Sequence, residues 1–190
     1  MMSRKGGETM VQQWMNVLKE SAENMKKTRV MVTCAMLLAV SVVLNYAFPI
    51  YIATSSRVTF GFLAIVACGY LFGPSPAMLT AALSDIVVFV LRPTGFYFPG
   101  YTITAALGGL IYGLILYKHE VKLTSILLAQ ALVTIILNIA LNSLFSVILQ
   151  GKALAAILPL RLMVNAGAYP VYVALEFLLL HFLKRQFRRA

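Results

Sequence analysis

Of 190 residues, 61% are apolar and 12% charged, with a mean hydropathy of +0.86, whereas an ordinary soluble domain is about 45–50% apolar and about 25% charged. A chain of this size cannot hide so much apolar surface from water, which excludes a soluble enzyme, a disordered tail and a nucleic-acid module and leaves an integral membrane protein. The formal charge of +10 would suggest nucleic acid in a soluble protein, but the basic residues stand at the ends of apolar runs and read as topology markers.

The first segment, residues 1–28, holds most of the polar content. Met10, Val11, Trp14, Val17 and Leu18 form an apolar stripe at helical period, flanked by Lys19, Lys26 and Lys27, which predicts a helix lying on the membrane interface. Six apolar segments follow, at 30–48, 58–73, 75–91, 101–117, 123–149 and 156–183. About 20 residues cross a bilayer, so the last two are comfortable, while the second to fourth are short and Gly-rich. They count separately because Gly73-Pro74-Ser75-Pro76 is a tight turn and Arg92-Pro93-Thr94-Gly95 ends a helix and opens a loop. The expected fold is an all-α integral membrane protein: a cytoplasmic or interfacial segment 1–28, a six-helix membrane domain 29–184 and a basic tail 185–190. No signal peptide is expected, since the first apolar run lies too far into the chain.

Arg4, Lys5, Lys19, Lys26, Lys27, Arg29, Lys118, Lys122, Lys184, Arg185, Arg188 and Arg189 fall on one side of a six-span arrangement. Arg57, Arg92, Lys152 and Arg161 fall on the other. The excess of basic residues marks the cytoplasm and places both termini there.

The acids Glu8, Glu20, Glu23 and Glu120 lie on the inner side, and Glu176 lies towards the inner half of the last span. Only Asp85 is within reach of the outer face. It stands seven residues before Arg92, which at about 100° per residue puts both on one helix face. Unpaired outer cations would attract an organic anion, or would snorkel to lipid phosphates. The run from Arg92 to Tyr101 holds Phe96, Tyr97, Phe98 and Tyr101 with Pro93, Gly95, Pro99 and Gly100. It reads as a stiff aromatic lid suited to a flat heterocycle, and the loop from Phe48 to Arg57 has similar ingredients.

Inside the spans, Asn138 and Asn142 are spaced i,i+4, as are Arg161 and Asn165. Polar groups at membrane depth usually face the bundle interior. Asn142 and Asn165 would donate to a ligand or bond neighbouring helices. Cys34 and Cys68, both inside apolar runs, read as buried thiols. No zinc or phosphate-loop pattern appears, so no metal, cofactor or nucleotide hydrolysis is expected. Ala35 and Ala39 form a small-residue stripe on the first span where another helix can approach closely.

Three stretches carry a family resemblance. They are Arg57-Val58-Thr59-Phe60-Gly61-Phe62-Leu63 leading into Gly69-Tyr70-Leu71-Phe72-Gly73-Pro74, Asp85 with the run Arg92 to Thr102, and Leu158-Pro159-Leu160-Arg161-Leu162 with Asn165 and Pro170. Over roughly residues 30–183 the chain resembles the substrate-binding S components of energy-coupling factor (ECF) vitamin transporters, most closely the folate-specific branch. The resemblance implies a vitamin bound at the outer face of a bacterial cell-membrane protein. It also implies docking on a transmembrane scaffold subunit driven by two cytoplasmic ATPases, and toppling of the S component in the membrane to carry its site inward. Ala35 and Ala39 would meet the scaffold. The expected substrate contacts are Arg57, Asp85, Arg92, Tyr97, Phe98, Pro99, Gly100, Tyr101, Asn142, Arg161 and Asn165. Asp85 would accept the donor pair of a pterin edge, or else pair with Arg57 or Arg161. An S component for riboflavin or another vitamin is a second reading. A small lipid-modifying membrane enzyme is a third, and it lacks the carboxylate or His cluster it would need: Asp85 stands alone, and His119 and His181 lie at inner helix ends.

Overall fold

The computed structural model describes residues 10–47, 50–53, 56–93, 97–150 and 154–187. Arg4, Lys5, Glu8, Thr94, Gly95, Phe96, Lys152, Arg188 and Arg189 lie outside them. Eight α-helices and one short hairpin are described: α1 (Met10–Asn24), α2 (Thr28–Ala47), β1 (Ile50–Ala53), β2 (Ser56–Val58), α3 (Phe62–Phe72), α4 (Pro74–Leu91), α5 (Pro99–Leu116), α6 (Leu123–Leu132), α7 (Asn142–Gln150) and α8 (Leu154–Phe187). A π-helical segment, Val133–Leu141, joins α6 to α7 without a break. Five runs are long and apolar enough to cross a membrane: α2, α4, α5, Leu123–Leu149 and the greater part of α8. With the shorter α3 they make a six-helix membrane bundle.

The second span departs from expectation. Residues 56–58 pair as an antiparallel strand with β1, Ile50 opposite Val58 and Tyr51 opposite Arg57, so the helix expected from 58 starts at Phe62. Ile, Tyr and Val suit a strand better than a helix start. α3 is left with 11 residues, about 16 Å at 1.5 Å per residue, too short to cross alone. It is tolerated because protein surrounds it: Ala64, Val66, Ala67, Cys68 and Gly69 are buried among α2, α4, α5 and α8.

Small residues set the distance between α4 and α5. A Cβ on Gly109 would lie 2.5 Å from the Ala77 carbonyl oxygen, and one on Gly113 would lie 2.3 Å from Pro74 Cα. Between α2 and α3 the Cys34 and Cys68 sulfurs are 3.5 Å apart, and both are free thiols.

Polar contacts hold α1 to one end of the bundle. Ser21, fully buried, donates to the Phe72 carbonyl at 3.2 Å and accepts from the Ser75 N–H at 3.0 Å. Asn24 donates to the Tyr117 hydroxyl at 3.2 Å, and Glu20 pairs with Lys118. Trp14 and Met15 stay exposed. This end gathers the α3–α4 and α5–α6 turns and, six spans on, Lys184 and Arg185 in the last turn of α8. α8 runs to Phe187, past the expected boundary at 184. The opposite end carries the hairpin, the α4–α5 loop and the end of α7.

Candidate functional site

At the end opposite α1, two polar groups lie on either side of an aromatic cluster. The first is built on α4. Asp85, six residues before the end of that helix at Leu91, lies about 9 Å below it. It accepts a hydrogen bond of 2.8 Å from Thr102 of α5. Because the Thr102 proton is committed there, the 2.8 Å contact between Tyr97 and Thr102 has the Tyr97 hydroxyl donating. The Tyr97 ring packs on Phe89 of α4, centroids 5.2 Å apart. Behind Asp85 lies a cavity of about 150 Å³ lined by Asn45, Thr59, Ser84, Asp85 and apolar neighbours from α3, α4 and α5. Its wall is braced: Ser41 bonds Ser84 at 2.8 Å and donates to the Gly61 carbonyl at 3.0 Å, while the Gly61 N–H donates to Asn45 Oδ1 at 3.2 Å.

The second group is built on the irregular run and α8. The Asn142 N–H reaches back five residues to the Leu137 carbonyl, the π pattern, whereas α-helical bonding from there takes the next N–H back only four, to Ile139. The Asn138 carbonyl is passed over. Arg161 Nη1 donates to it at 3.4 Å, and Nη2 donates to Ser146 Oγ at 2.6 Å. A change of helical register thus supplies a guanidinium ligand, as π segments at functional sites tend to do. Asn142 donates to Asn138 Oδ1 at 3.4 Å, while Asn142 Oδ1 and Ser143 Oγ are buried without a hydrogen-bond partner.

Between the groups Phe98, Tyr101 and Phe145 form a triangle of edge-to-face rings with centroids 5.1–5.9 Å apart, a favoured aromatic geometry. Gly100 makes room for it, since a Cβ there would fall 2.2 Å from Phe98 Cε1 and 2.9 Å from Phe145 Cε2. The first turn of α5 bridges the whole site: Thr102 holds Asp85, and Tyr101 packs on Phe145, the residue before the Ser146 that accepts from Arg161.

Residues 25–175 match the family of the ECF-type riboflavin transporter S component. The chain belongs to the ECF S-component family. Its relatives include two folate transporters named FolT. That of Clostridium novyi (strain NT) is 33% identical over 148 residues, covering 78% of this chain and 86% of the relative. That of Leuconostoc mesenteroides is 33% identical over 162 residues, covering 81% and 85%. A crystal structure of FolT bound with folic acid superposes with a TM-score of 0.74 at 34% identity, covering 80% of this chain and 92% of that one. These relatives are transport proteins, not enzymes, and the chain is a multi-pass membrane protein like them. Both polar groups lie within the S-component match, and α1 lies before it.

The expected contacts divide between the two groups of this S component. Asp85 and Tyr97 belong to the first, Arg161 and Asn142 to the second, and Phe98 and Tyr101 to the triangle. Pro99 is the exposed first residue of α5 and Gly100 a buried support. Asn165 donates to the Arg161 carbonyl of its own helix at 2.8 Å, so its amide N–H is turned towards the backbone. Arg92 is exposed at the end of α4, its N–H closing the helix on the Val88 carbonyl at 3.0 Å. Arg57 is placed by its backbone in β2, and its side chain lies outside what is described. Pairing of Asp85 with Arg161 is corrected: the guanidinium reaches Ser146 and Asn138 instead, because the π register offers it a carbonyl. Tyr97 and Phe98 do not act as one lid, since Tyr97 turns to α4 and Phe98 to α7. Asn45, Ser84, Phe145 and Ser146 escaped the sequence reading. The last two could have been found at i+3 and i+4 from Asn142, on the same helix face.

Proposed function

We propose that this S component binds folate. The observation that carries the reading is the bridge made by the first turn of α5, with a carboxylate at one end, aromatic rings in the middle and a guanidinium at the other. Folate has the matching order. A pterin edge offers an N–H and an NH₂ side by side to a carboxylate, a benzoyl ring follows, and a glutamate dicarboxylate suits a charge-assisted bond from Arg161. The folate transporters among its relatives support the same substrate. A riboflavin reading is supported by the name of the matched family, but the neutral ribityl tail of riboflavin would leave Arg161 without an anionic partner.

The basic end, by the excess of Lys and Arg, faces the cytoplasm. Both termini then lie on the cytoplasmic side of a bacterial cell membrane and the site opens outward. The exposed face of α2, with Ala35 and Ala39 beside Met36, Val40 and Val43, docks on a transmembrane scaffold served by two ATPases, and toppling of the docked subunit carries the ligand inward. Titration of the purified chain with folic acid, pteroic acid and riboflavin tests the substrate: folic acid should bind tightest, and a preference for riboflavin would refute the reading. Ala39→Trp tests the docking face. It should abolish uptake in cells while the isolated subunit keeps its folate affinity; loss of both would place Ala39 in internal packing.

A further inference from the structure

Glu176 lies on α8 in the half of the bundle nearer the basic end, far from the site described above. It is fully buried, and neither carboxyl oxygen has a hydrogen-bond partner. Val173 and Leu180, three residues before it and four after on the same helix face, belong to a buried apolar cluster with Val66, Leu116, Ile126 and Ala129. The open groove along the same α6–α8 contact is lined by Leu123, Leu127, Tyr169, Pro170, Val173 and Phe177, so it brings no counter-charge. A lone carboxylate in such a place costs many kcal/mol unless neutralised.

The polar groups nearby show what neutralises it. The Tyr112 hydroxyl, in the same buried cluster, donates its proton to Gln130 Oε1. Gln130 in turn donates from Nε2 to Thr134 Oγ1 at 3.4 Å. With its one proton committed to Gln130, Tyr112 has only a lone pair to offer Glu176. Two oxygens facing each other with lone pairs repel, and the contact becomes favourable when the carboxyl itself carries the hydrogen. The titratable groups around it are tyrosines: Tyr112 from α5, Tyr172 one turn away on α8, and Tyr70 of α3 at the edge of the cluster. α6 contributes Gln130, which does not titrate.

We infer that Glu176 is a proton-binding site: it is held as a neutral carboxylic acid that donates to Tyr112 and latches α8 to α5 and α6. The proton completes a run of donors from Glu176 through Tyr112 to Gln130, with Gln130 bonding Thr134 in the π segment. Removing it strands a charge among apolar side chains and opens the latch.

The test uses the full chain in lipid nanodiscs with ¹³C-labelled glutamate. At pH 7 the infrared spectrum should contain the C=O stretch of a protonated glutamic acid, absent from Glu176→Gln. That variant should melt with wild type in mild acid and above it at pH 7, because wild type must keep in the fold a proton that its unfolded chain releases above about pH 4.3. The labelled wild type alone suffices if the variant fails to fold. Absence of the acid band overturns the proposal. So does a wild-type melting temperature that rises with sodium chloride but not with choline chloride, a response missing in Glu176→Gln, because the site would then hold a metal cation.

Discussion

The two halves of this bundle are packed by different means. In α4 and α5, 39% of each 18-residue span is buried, against 22% in the last two spans. The α4–α5 half is built on glycine, alanine and serine, which bring backbones into contact. The other half relies on rings, amides, a π segment and Pro159 and Pro170 inside α8. Each half supports one end of the site accordingly. Asp85 is held by a side chain on a tightly packed neighbouring helix, whereas Arg161 is held partly by a carbonyl that an irregular backbone leaves over. Close packing positions the carboxylate, and a fault in helical register positions the guanidinium.

The sharpest way to break this comparison is to add one methyl group to each half. A Cβ on Gly113 meets Pro74 Cα at 2.3 Å, while one on Gly167 meets nothing within 4 Å. Gly113→Ala should therefore cost about 3 kcal/mol or more by overpacking. Gly167→Ala should gain about 0.5–1 kcal/mol, the usual preference of a helix interior for Ala over Gly. Thermal unfolding in a fixed detergent checks both, and equal effects would mean the halves do not differ in tightness.

Ligand binding separates the two ends. On the folate proposal, Asp85→Asn would turn an acceptor oxygen into a donor facing the pterin NH₂, and Arg161→Ala would remove a charge-assisted bond to the glutamate. Each should cost about 1.5–3 kcal/mol of folic acid affinity, roughly ten- to a hundredfold. With pteroic acid, which lacks the glutamate, the Asp85 effect should persist and the Arg161 effect should vanish. If Arg161→Ala weakens both ligands equally, its role is to hold α8 to α7. If Asp85→Asn lowers the melting temperature of the ligand-free protein, its bond to Thr102 is structural.

The six spans were legible because hydropathy and the Gly-Pro turns carry them locally. The hairpin was not, since the apolar run continues through Val58 and only pairing with Ile50 draws it into a strand. The π register of Val133–Leu141 was equally hidden: its composition, rich in Ile and Leu, suits any buried apolar segment, and the register depends on what packs against it. At the site, the sequence picked out Asp85, Arg161 and the aromatic run by chemical type. It could not place Thr102, seventeen residues from Asp85, or Ser146, fifteen from Arg161, because those contacts exist only once helices are side by side.

Ser146 offers a finer test of the looser half. It gives Arg161 its shorter hydrogen bond, 2.6 Å against 3.4 Å for the Asn138 carbonyl. Ser146→Ala should lower folic acid affinity by about 1 kcal/mol, the net worth of one such bond, and leave pteroic acid unaffected. An equal loss for both ligands would show that the serine shapes the pocket and does not aim the guanidinium.

The smallest effect belongs to the ion pair that ties α1 to the α4–α5 half. The hydrogen bond to the Glu20 carboxylate raises the Lys118 ammonium above its ordinary pKa, against a small opposing effect of burial. A lysine whose folded pKa is raised contributes stability that is fully present below its unfolded value of about 10.4. The contribution is lost as the pH climbs through the raised folded value, so the pair should leave the stability profile flat around neutrality and add a decline only in strong alkali. Both side chains are about half exposed, so solvent screening limits the pair to a few tenths of a kcal/mol. Glu20→Gln should lower the melting temperature slightly at pH 7 and not at all in molar salt. Ser21→Ala should cost more under both conditions, because it strips a buried bond from the Ser75 N–H and from the Phe72 carbonyl. A salt-sensitive loss in Ser21→Ala, or a large salt-insensitive one in Glu20→Gln, would reverse the assignment and make charge the anchor of α1.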